Sequence, residues 1–261
     1  MREITFYKYQ GTGNDFIIID QMETQMDFTT DEIHFMCDRR KGIGADGLIL
    51  LRPSSFANFK MVYYNSDGNE STMCGNGGRC VSRLFYKLFP EIGNRFNFQA
   101  IDGHHSVKIL EDGRVSLEMR NVGRIKQGNK YWELDTGSPH YVTIRNDLFS
   151  IDVNKEGSSI RYSQEYAKDG INVNFVDIED DYIAVRTYER GVEGETLSCG
   201  TGVTAAALAA DLYTNNKQGN SIEVHTKGGT LNVSFEKKGE VYQQIWLSGP
   251  ALQVFTGNIQ L

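Results

Sequence analysis

The chain carries one short pattern twice. "ESTMCGNG", opening at Glu70, and "ETLSCGTG", opening at Glu195, both read Glu-x-x-x-Cys-Gly-x-Gly. They lie about 125 residues apart, and a repeat at that distance makes each copy domain-sized. The register runs beyond the pattern. Gly13-Asn14 matches Gly137-Ser138, and "DGLILL" from Asp46 matches "DGINVNF" from Asp169. "VKILEDGRVSLEM" and "LNVSFEKKGEVYQQIWL" each read as strand, turn and strand, with turns at Asp112-Gly113 and Lys238-Gly239. These separations agree to within about three residues, so the chain is expected to fold as two similar domains, near 1–118 and 119–250.

Each pattern stands where a loop becomes a helix. After Cys74, the residues Cys80, Val81, Leu84, Phe85 and Leu88 fall on one helical face, and Pro90 stops the helix. After Cys199, "GVTAAALAADLY" is apolar nearly all round, as a helix buried inside its domain must be. Most other segments are short and alternating, with turn signals between them. The expected fold class is α+β: two pseudo-symmetric, strand-rich domains, each curled around a central helix.

Composition narrows the function. With 261 residues the chain can build one large core or two small ones, and it is 39% hydrophobic and 23% charged, as soluble globular proteins are. It has no apolar run of the roughly 18 residues that a membrane helix needs. The opening "MREITFYKYQ" lacks the layout of a signal peptide, so a cytoplasmic protein is expected, with no membrane partner. A net charge of −7 argues against nucleic acid as a partner. Cys37, Cys74, Cys80 and Cys199 are too sparse for a disulfide scaffold and too widely spaced for zinc. His104 and His105 have no cysteine at ligand spacing, so no metal is expected.

What remains is the chemistry of a cysteine at a helix start. The first turn of a helix has unpaired N–H groups and partial positive charge, and glycines let a ligand come close. Such a place holds a carboxylate and favours thiolate over thiol. If the two halves face each other, two cradles and two sulfurs meet at one cleft. One thiolate then takes an α-proton from one face while the other thiol delivers a proton to the opposite face, which inverts a stereocentre. The developing enolate charge falls on carboxylate oxygens that the helix N–H groups already hold. Cys37 and Cys80 are read instead as buried packing residues.

"GTGNDFIIID", "RRKGIGADGLILL", "NSDGNESTMCGNGGRC", "DTGSPHYV" and "ERGVEGETLSCGTGVTAAA" together resemble the diaminopimelate epimerase family, in order and over nearly the whole chain. The resemblance implies a pyridoxal-phosphate-independent isomerase, needing no cofactor, that interconverts LL- and meso-diaminopimelate on the route to lysine and peptidoglycan. It implies a homodimer, and a last strand, "GPALQVFTGNIQL", that returns to the first domain, so that residues 251–261 join 1–118. By the same resemblance Cys74 and Cys199 are the acid/base pair, and Gly75-Asn76 and Gly200-Thr201 are the carboxylate cradles. Asn14, Asn65, Asn172, Glu189 and Arg190 would hold the substrate's amino groups and distal carboxylate, while His140 and Glu189 would tune the cysteines. Arg190 can grip a carboxylate by two hydrogen bonds, and Glu189 can accept from an ammonium.

Two positions depart from the family pattern. Ser138 stands where many members have asparagine, and Gly47 where some carry a glutamine that reaches the substrate. Two other readings remain beside the first. One is a related cofactor-independent racemase acting on proline, hydroxyproline or histidine; Arg190 with three asparagines disfavours proline. The other is a non-enzymatic redox or metal-binding protein built on Cys74 and Cys199.

Overall fold

The computed structural model describes residues 2–71, 73–217 and 219–261. The chain divides into two compact units, Met1–Leu117 with Gly249–Leu261, and Glu118–Ser248.

The first unit runs β1 (Glu3–Gly11), β2 (Asn14–Asp20), α1 (Thr30–Cys37), β3 (Gly47–Arg52), β4 (Phe59–Asn65), α2 (Gly75–Leu88), β5 (Arg95–Ala100), β6 (Gly103–Ile109) and β7 (Val115–Met119). β1 pairs antiparallel with β2, β2 parallel with β3, β3 antiparallel with β4 and β4 parallel with β5. β5–β6 and β6–β7 are antiparallel hairpins. The second unit runs β8 (Lys126–Gln127), β9 (Tyr131–Asp135), β10 (Pro139–Ile144), α3 (Val153–Arg161), β11 (Asn172–Ile178), β12 (Tyr182–Glu189), β13 (Gly194–Thr196), α4 (Gly200–Thr214), β14 (Ser221–Thr226), β15 (Gly229–Lys238) and β16 (Val241–Gly249). Its pairings follow the same sequence of directions: β9–β10 antiparallel, β10–β11 parallel, β11–β12 antiparallel, β12–β14 parallel, then β14–β15 and β15–β16 antiparallel. The final strand, β17 (Leu252–Gln260), pairs antiparallel with β1 in the first unit. In the second unit the corresponding edge of β9 is taken by the short β8.

Each sheet is covered on both faces, which explains why β2 and β3 read as unbroken apolar runs. Phe16, Ile18, Ile49 and Leu51 point into the core around α2. Their neighbours Ile17, Ile19, Leu48 and Leu50 point to the other face, where Ile33, Met36 and Cys37 of α1 pack. Every strand from β1 to β7 contributes to the core around α2, so the sheet wraps the helix. The second unit repeats the plan, with α4 inside and Val153 of α3 packed outside on Val173 and Phe175. A fully buried leucine such as Leu84 contributes about 2 kcal/mol by burial. α2 buries Cys80, Val81, Leu84 and Phe85, and α4 is buried from Val203 through Asp211. Gly113 and Gly239, at the expected turns, take φ of 83° and 62°. No helix among the described residues is long and apolar enough to cross a membrane.

One sequence register needs correction. Gly47 pairs with Phe16 and with Asn65, whereas Asn172 stands opposite His140 at the same place in the second unit. Gly47 therefore corresponds to Asn172, and Asp46 to Ile171, not to Asp169. In the second unit the Asp-Gly pair lies in the loop before β11, where Gly170 takes φ 71°. In the first it leads straight into β3. Similar turn residues serve different turns.

Candidate active site

Both cysteines are the last non-helical residue before a buried helix. Cys74 caps α2 at φ −101°, ψ 122°, and Cys199 caps α4 at φ −116°, ψ 113°. Their carbonyls accept the first helical hydrogen bonds, from Gly78 N at 2.7 Å and Val203 N at 2.8 Å. The N–H groups of Gly75, Asn76, Gly200 and Thr201 thus belong to first turns, where donors are unpaired by the helix and an anion is stabilised. The glutamate opening each pattern is held through its backbone: Glu70 bridges Tyr64, and Glu195 pairs with Tyr188. The pattern spells a short connection from strand to helix, written once in each unit.

Around Cys74 the polar groups come from the β1–β2 turn and from α2 itself. Cys74 Sγ lies 3.6 Å from Asn14 Oδ1, which also accepts from Asn76 Nδ2 at 3.4 Å. Asn14 is held from behind, its Nδ2 donating to Asp46 Oδ2 at 2.5 Å. Asp46 in turn accepts from Arg39, which forks onto Asp15 at 3.0 and 2.7 Å. Burial works against ionised Asp15, yet Arg39 and Lys8 hold its carboxyl well below the usual range. On the helix side, Arg79 Nη2 donates to Asn76 Oδ1 at 2.8 Å and to Thr12 Oγ1 at 3.2 Å. Arg79 is fully buried. Burial lowers its pKa, but a guanidinium starts so high that it keeps its charge. Asn65 ends β4 opposite Gly47 and is exposed.

Around Cys199 the polar groups are Thr201 of α4, Ser138 in the turn before β10, and strand residues behind them. Cys199 Sγ is 3.4 Å from Thr201 Oγ1, and Thr201 Oγ1 is 3.3 Å from Ser138 Oγ. Ser138 Oγ lies 3.0 Å from His140 Nε2 and accepts from Asn172 Nδ2 at 3.0 Å. His140 Nδ1 meets Asn174 Nδ2 at 3.0 Å. His140 is completely buried, and burial with the nearby Arg190 charge pushes its pKa down to about 3, so the ring is neutral. Asn172 Oδ1 accepts from the Arg190 N–H at 2.9 Å, while the Arg190 guanidinium donates to Asp169 O at 2.8 Å. Burial raises the Glu189 carboxyl. Strand alternation explains the gathering: Val142 and Val176 face α4, so His140, Asn172 and Asn174 face it too. Gly202 is required here, because a Cβ at that position would sit 2.4 Å from Asn174 Oδ1.

The structure brings Asn14 and Asn76 to Cys74, and Thr201, His140 and Asn172 to Cys199. Asn65 and Glu189 end β4 and β12, and Arg190 follows directly. The other thiols differ in kind: burial pushes Cys37 and Cys80 up to about 12. His105 bonds Asp102 at 3.0 Å and stacks on Phe98. Among the described residues no three His, Cys, Asp or Glu side chains converge as a metal would require.

A family model described as diaminopimelate epimerase matches residues 6–125 and 133–251. The chain belongs to the diaminopimelate epimerase family. The diaminopimelate epimerase of Flavobacterium psychrophilum is 50% identical over 255 residues, covering 97% of this chain and 99% of its own length. That of Chlorobaculum tepidum is 41% identical over 259 residues, covering 96% and 99%. Solved structures share the fold at low identity. A phenazine biosynthesis protein of the PhzF family from Bacillus anthracis superposes with a TM-score of 0.76 at 14% identity, covering all of both chains. A hydroxyproline epimerase from Agrobacterium vitis gives 0.68 at 14%, covering 100% of this chain and 93% of its own.

Sequence reasoning missed Arg79, Asp46, Asn174 and Thr187 as members of these networks. Asn174 left a trace: "INVNF" places two asparagines at strand period within an apolar run. Arg79 left none, since an arginine beside the apolar face of a helix is normally solvated.

Proposed function

We propose that the chain converts LL-2,6-diaminopimelate to meso-diaminopimelate, as an isomerase of lysine and peptidoglycan precursor biosynthesis. The observation that carries this reading is 50% identity over nearly the full length to a relative named for diaminopimelate epimerisation. The reading places the enzyme in the cytoplasm as a homodimer and uses no pyridoxal phosphate. Cys74 and Cys199 act as a thiolate and a thiol, one supplied by residues 1–118 with 251–261 and one by 119–250. The thiolate removes the α-proton, the thiol reprotonates the opposite face, and the reverse reaction exchanges their roles. The first-turn N–H groups at Gly75-Asn76 and Gly200-Thr201 take the charge that grows on the α-carboxylate. Asn14, Asn65, Asn172, Glu189 and Arg190 bind the amino groups and the distal carboxylate, and His140 and Glu189 tune the sulfurs.

Incubation with LL-diaminopimelate in D₂O tests both halves of the reading. The expected result is α-deuteration together with meso product, lost in Cys74→Ala and in Cys199→Ala. Faster turnover of another amino acid in the same assay would move the substrate assignment to a related racemase. The two-base step requires both thiols to reach one α-carbon. Mild oxidation is therefore expected to join Cys74 to Cys199 and stop activity until a reductant is added. Oxidised, inactive enzyme that keeps both thiols would refute that geometry.

A further inference from the structure

Directions of hydrogen bonds around Cys199 follow from groups that can play only one role. The Tyr141 carbonyl accepts from Asn174 Nδ2 at 3.1 Å, so that amide cannot be turned over. Asn174 Oδ1 then accepts from Thr187 Oγ1 at 2.9 Å, and Nδ2 also donates to His140 Nδ1. A neutral imidazole that accepts at Nδ1 carries its proton on Nε2. Nε2–H therefore donates to Ser138 Oγ. Asn172 is oriented in the same way: the Pro139 carbonyl accepts from its Nδ2 at 3.0 Å and the Arg190 N–H donates to its Oδ1. Its Nδ2 is thus a second donor to Ser138 Oγ. With both lone pairs engaged, Ser138 has only its proton left, and Thr201 Oγ1 is the neighbour that takes it. Thr201 then turns its own proton to Cys199 Sγ.

We propose that Ser138 and Thr201 are positioning residues that carry a one-way hydrogen-bond relay from His140 to the Cys199 sulfur, holding that sulfur as an acceptor and favouring its thiolate. The relay cannot reverse, because a proton on His140 Nδ1 would face the Asn174 amide donor. A thiolate gains from a hydroxyl donor, whereas a thiol at the same place gains little. The inference rests on Cys199 being one of the two bases. It also gives Ser138, where the family resemblance has asparagine, a task its short hydroxyl performs: accepting twice and donating once.

Other titratable groups on the strands packed against α4 leave the relay as the adjustable part. At this end stand Asp135 on β9, His140 on β10, and Glu189 with Arg190 after β12. Glu223 and His225 on β14 pair with each other at 2.7 Å, and Lys237 on β15 pairs with Asp211, far along α4, at 2.9 Å. Thr201→Val leaves these groups with the partners they have, whereas Ser138→Ala also removes the acceptor of His140 Nε2–H.

The test is the pH profile of Cys199 alkylation by iodoacetamide, mapped by peptide mass in a Cys74→Ala background. Thr201→Val and Ser138→Ala are expected to raise the midpoint by about one pH unit, slowing alkylation well below the midpoint about tenfold. Thr201→Ser and Ser138→Thr, which keep the hydroxyls, are expected to restore the parent profile. Cys74, read in a Cys199→Ala background, is expected to keep its profile under Ser138→Ala. Because Ser138→Ala strands two buried donors, the Thr201→Val and Thr201→Ser pair decides if that variant does not fold. An unmoved Cys199 midpoint in Thr201→Val overturns the relay, as does an equal shift at Cys74. The readout needs no substrate, so failure of the epimerase assay and failure of the relay are separate results.

Discussion

The two cysteine loops stand on the same backbone and are served from opposite sides. At Cys74 the buried polar groups are Arg79 and Asn76 of the helix with Thr12 of the β1–β2 turn, and the strand positions facing it are filled by Phe16, Ile49 and Tyr63. At Cys199 the corresponding strand positions are His140, Asn174 and Thr187, and the helix offers Thr204 and Ala205 where the first copy has Arg79 and Cys80. One site keeps a permanent buried cation; the other keeps a neutral imidazole. Duplication preserved what the backbone dictates, namely a sulfur and free N–H groups at a helix start. It let the supporting polar network move between helix and strand, because either side reaches the same small volume.

Catalysis should ignore this difference. Cys74→Ala and Cys199→Ala are each expected to lower kcat by about 10³-fold or more, since the proposed two-base step needs both sulfurs as proton carriers. A much milder loss in one of them would break the equivalence of the two copies. Acid should reveal the difference. His140 has a folded pKa of about 3 against 6.5 when unfolded, so the unfolded chain binds the extra proton. Stability that is complete above pH 6.5 is therefore lost as pH falls toward 3, by about 1.4 kcal/mol per unit from this group. Urea unfolding between pH 7 and 5 measures the slope, and His140→Gln should flatten it. Arg79 contributes no such slope, because it does not titrate in this range.

The equivalent positions Gly47 and Asn172 should fail for different reasons. Gly47→Ala forces a Cβ to 2.5 Å from both the Tyr63 ring and the Tyr64 carbonyl, and should cost about 1–3 kcal/mol through overpacking. Asn172→Ala removes bonds to Ser138, Pro139 and Arg190 and should cost a similar ~1–3 kcal/mol through stranded polar groups. Thermal melts compare the totals; a larger residue tolerated at 47 would mean that both the Tyr63 ring and the β4 backbone at Tyr64 give way. The smallest effect on stability is expected at Asp46→Ala, under about 1 kcal/mol, because its ion pair with Arg39 is half-exposed. Its effect should appear as a raised KM, since Asn14 loses the partner that orients it.

Much of the plan was legible in the chain. Short-range pattern is enough to find helix faces, hairpin turns and a repeat, because each is set by neighbours within a few residues. The apolar stretch from Cys80 and the all-round apolar α4 became buried helices for that reason. Asp46 and Asp169 misled because identical turn dipeptides served different loop lengths. The pair with which a residue truly corresponds is set by strand register, and only cross-strand hydrogen bonds define register. The networks lay further out of reach. Asn174, Thr187 and His140 lie on three strands, and a one-residue slip in any of them would turn its side chain away from α4. Local pattern along the chain was enough to show that two cysteines begin two buried helices in two like halves. The tertiary structure alone decided that Arg79 is buried behind one sulfur and an oriented chain of hydroxyls ends on the other, because those partners are brought together by register and packing, which no local pattern encodes.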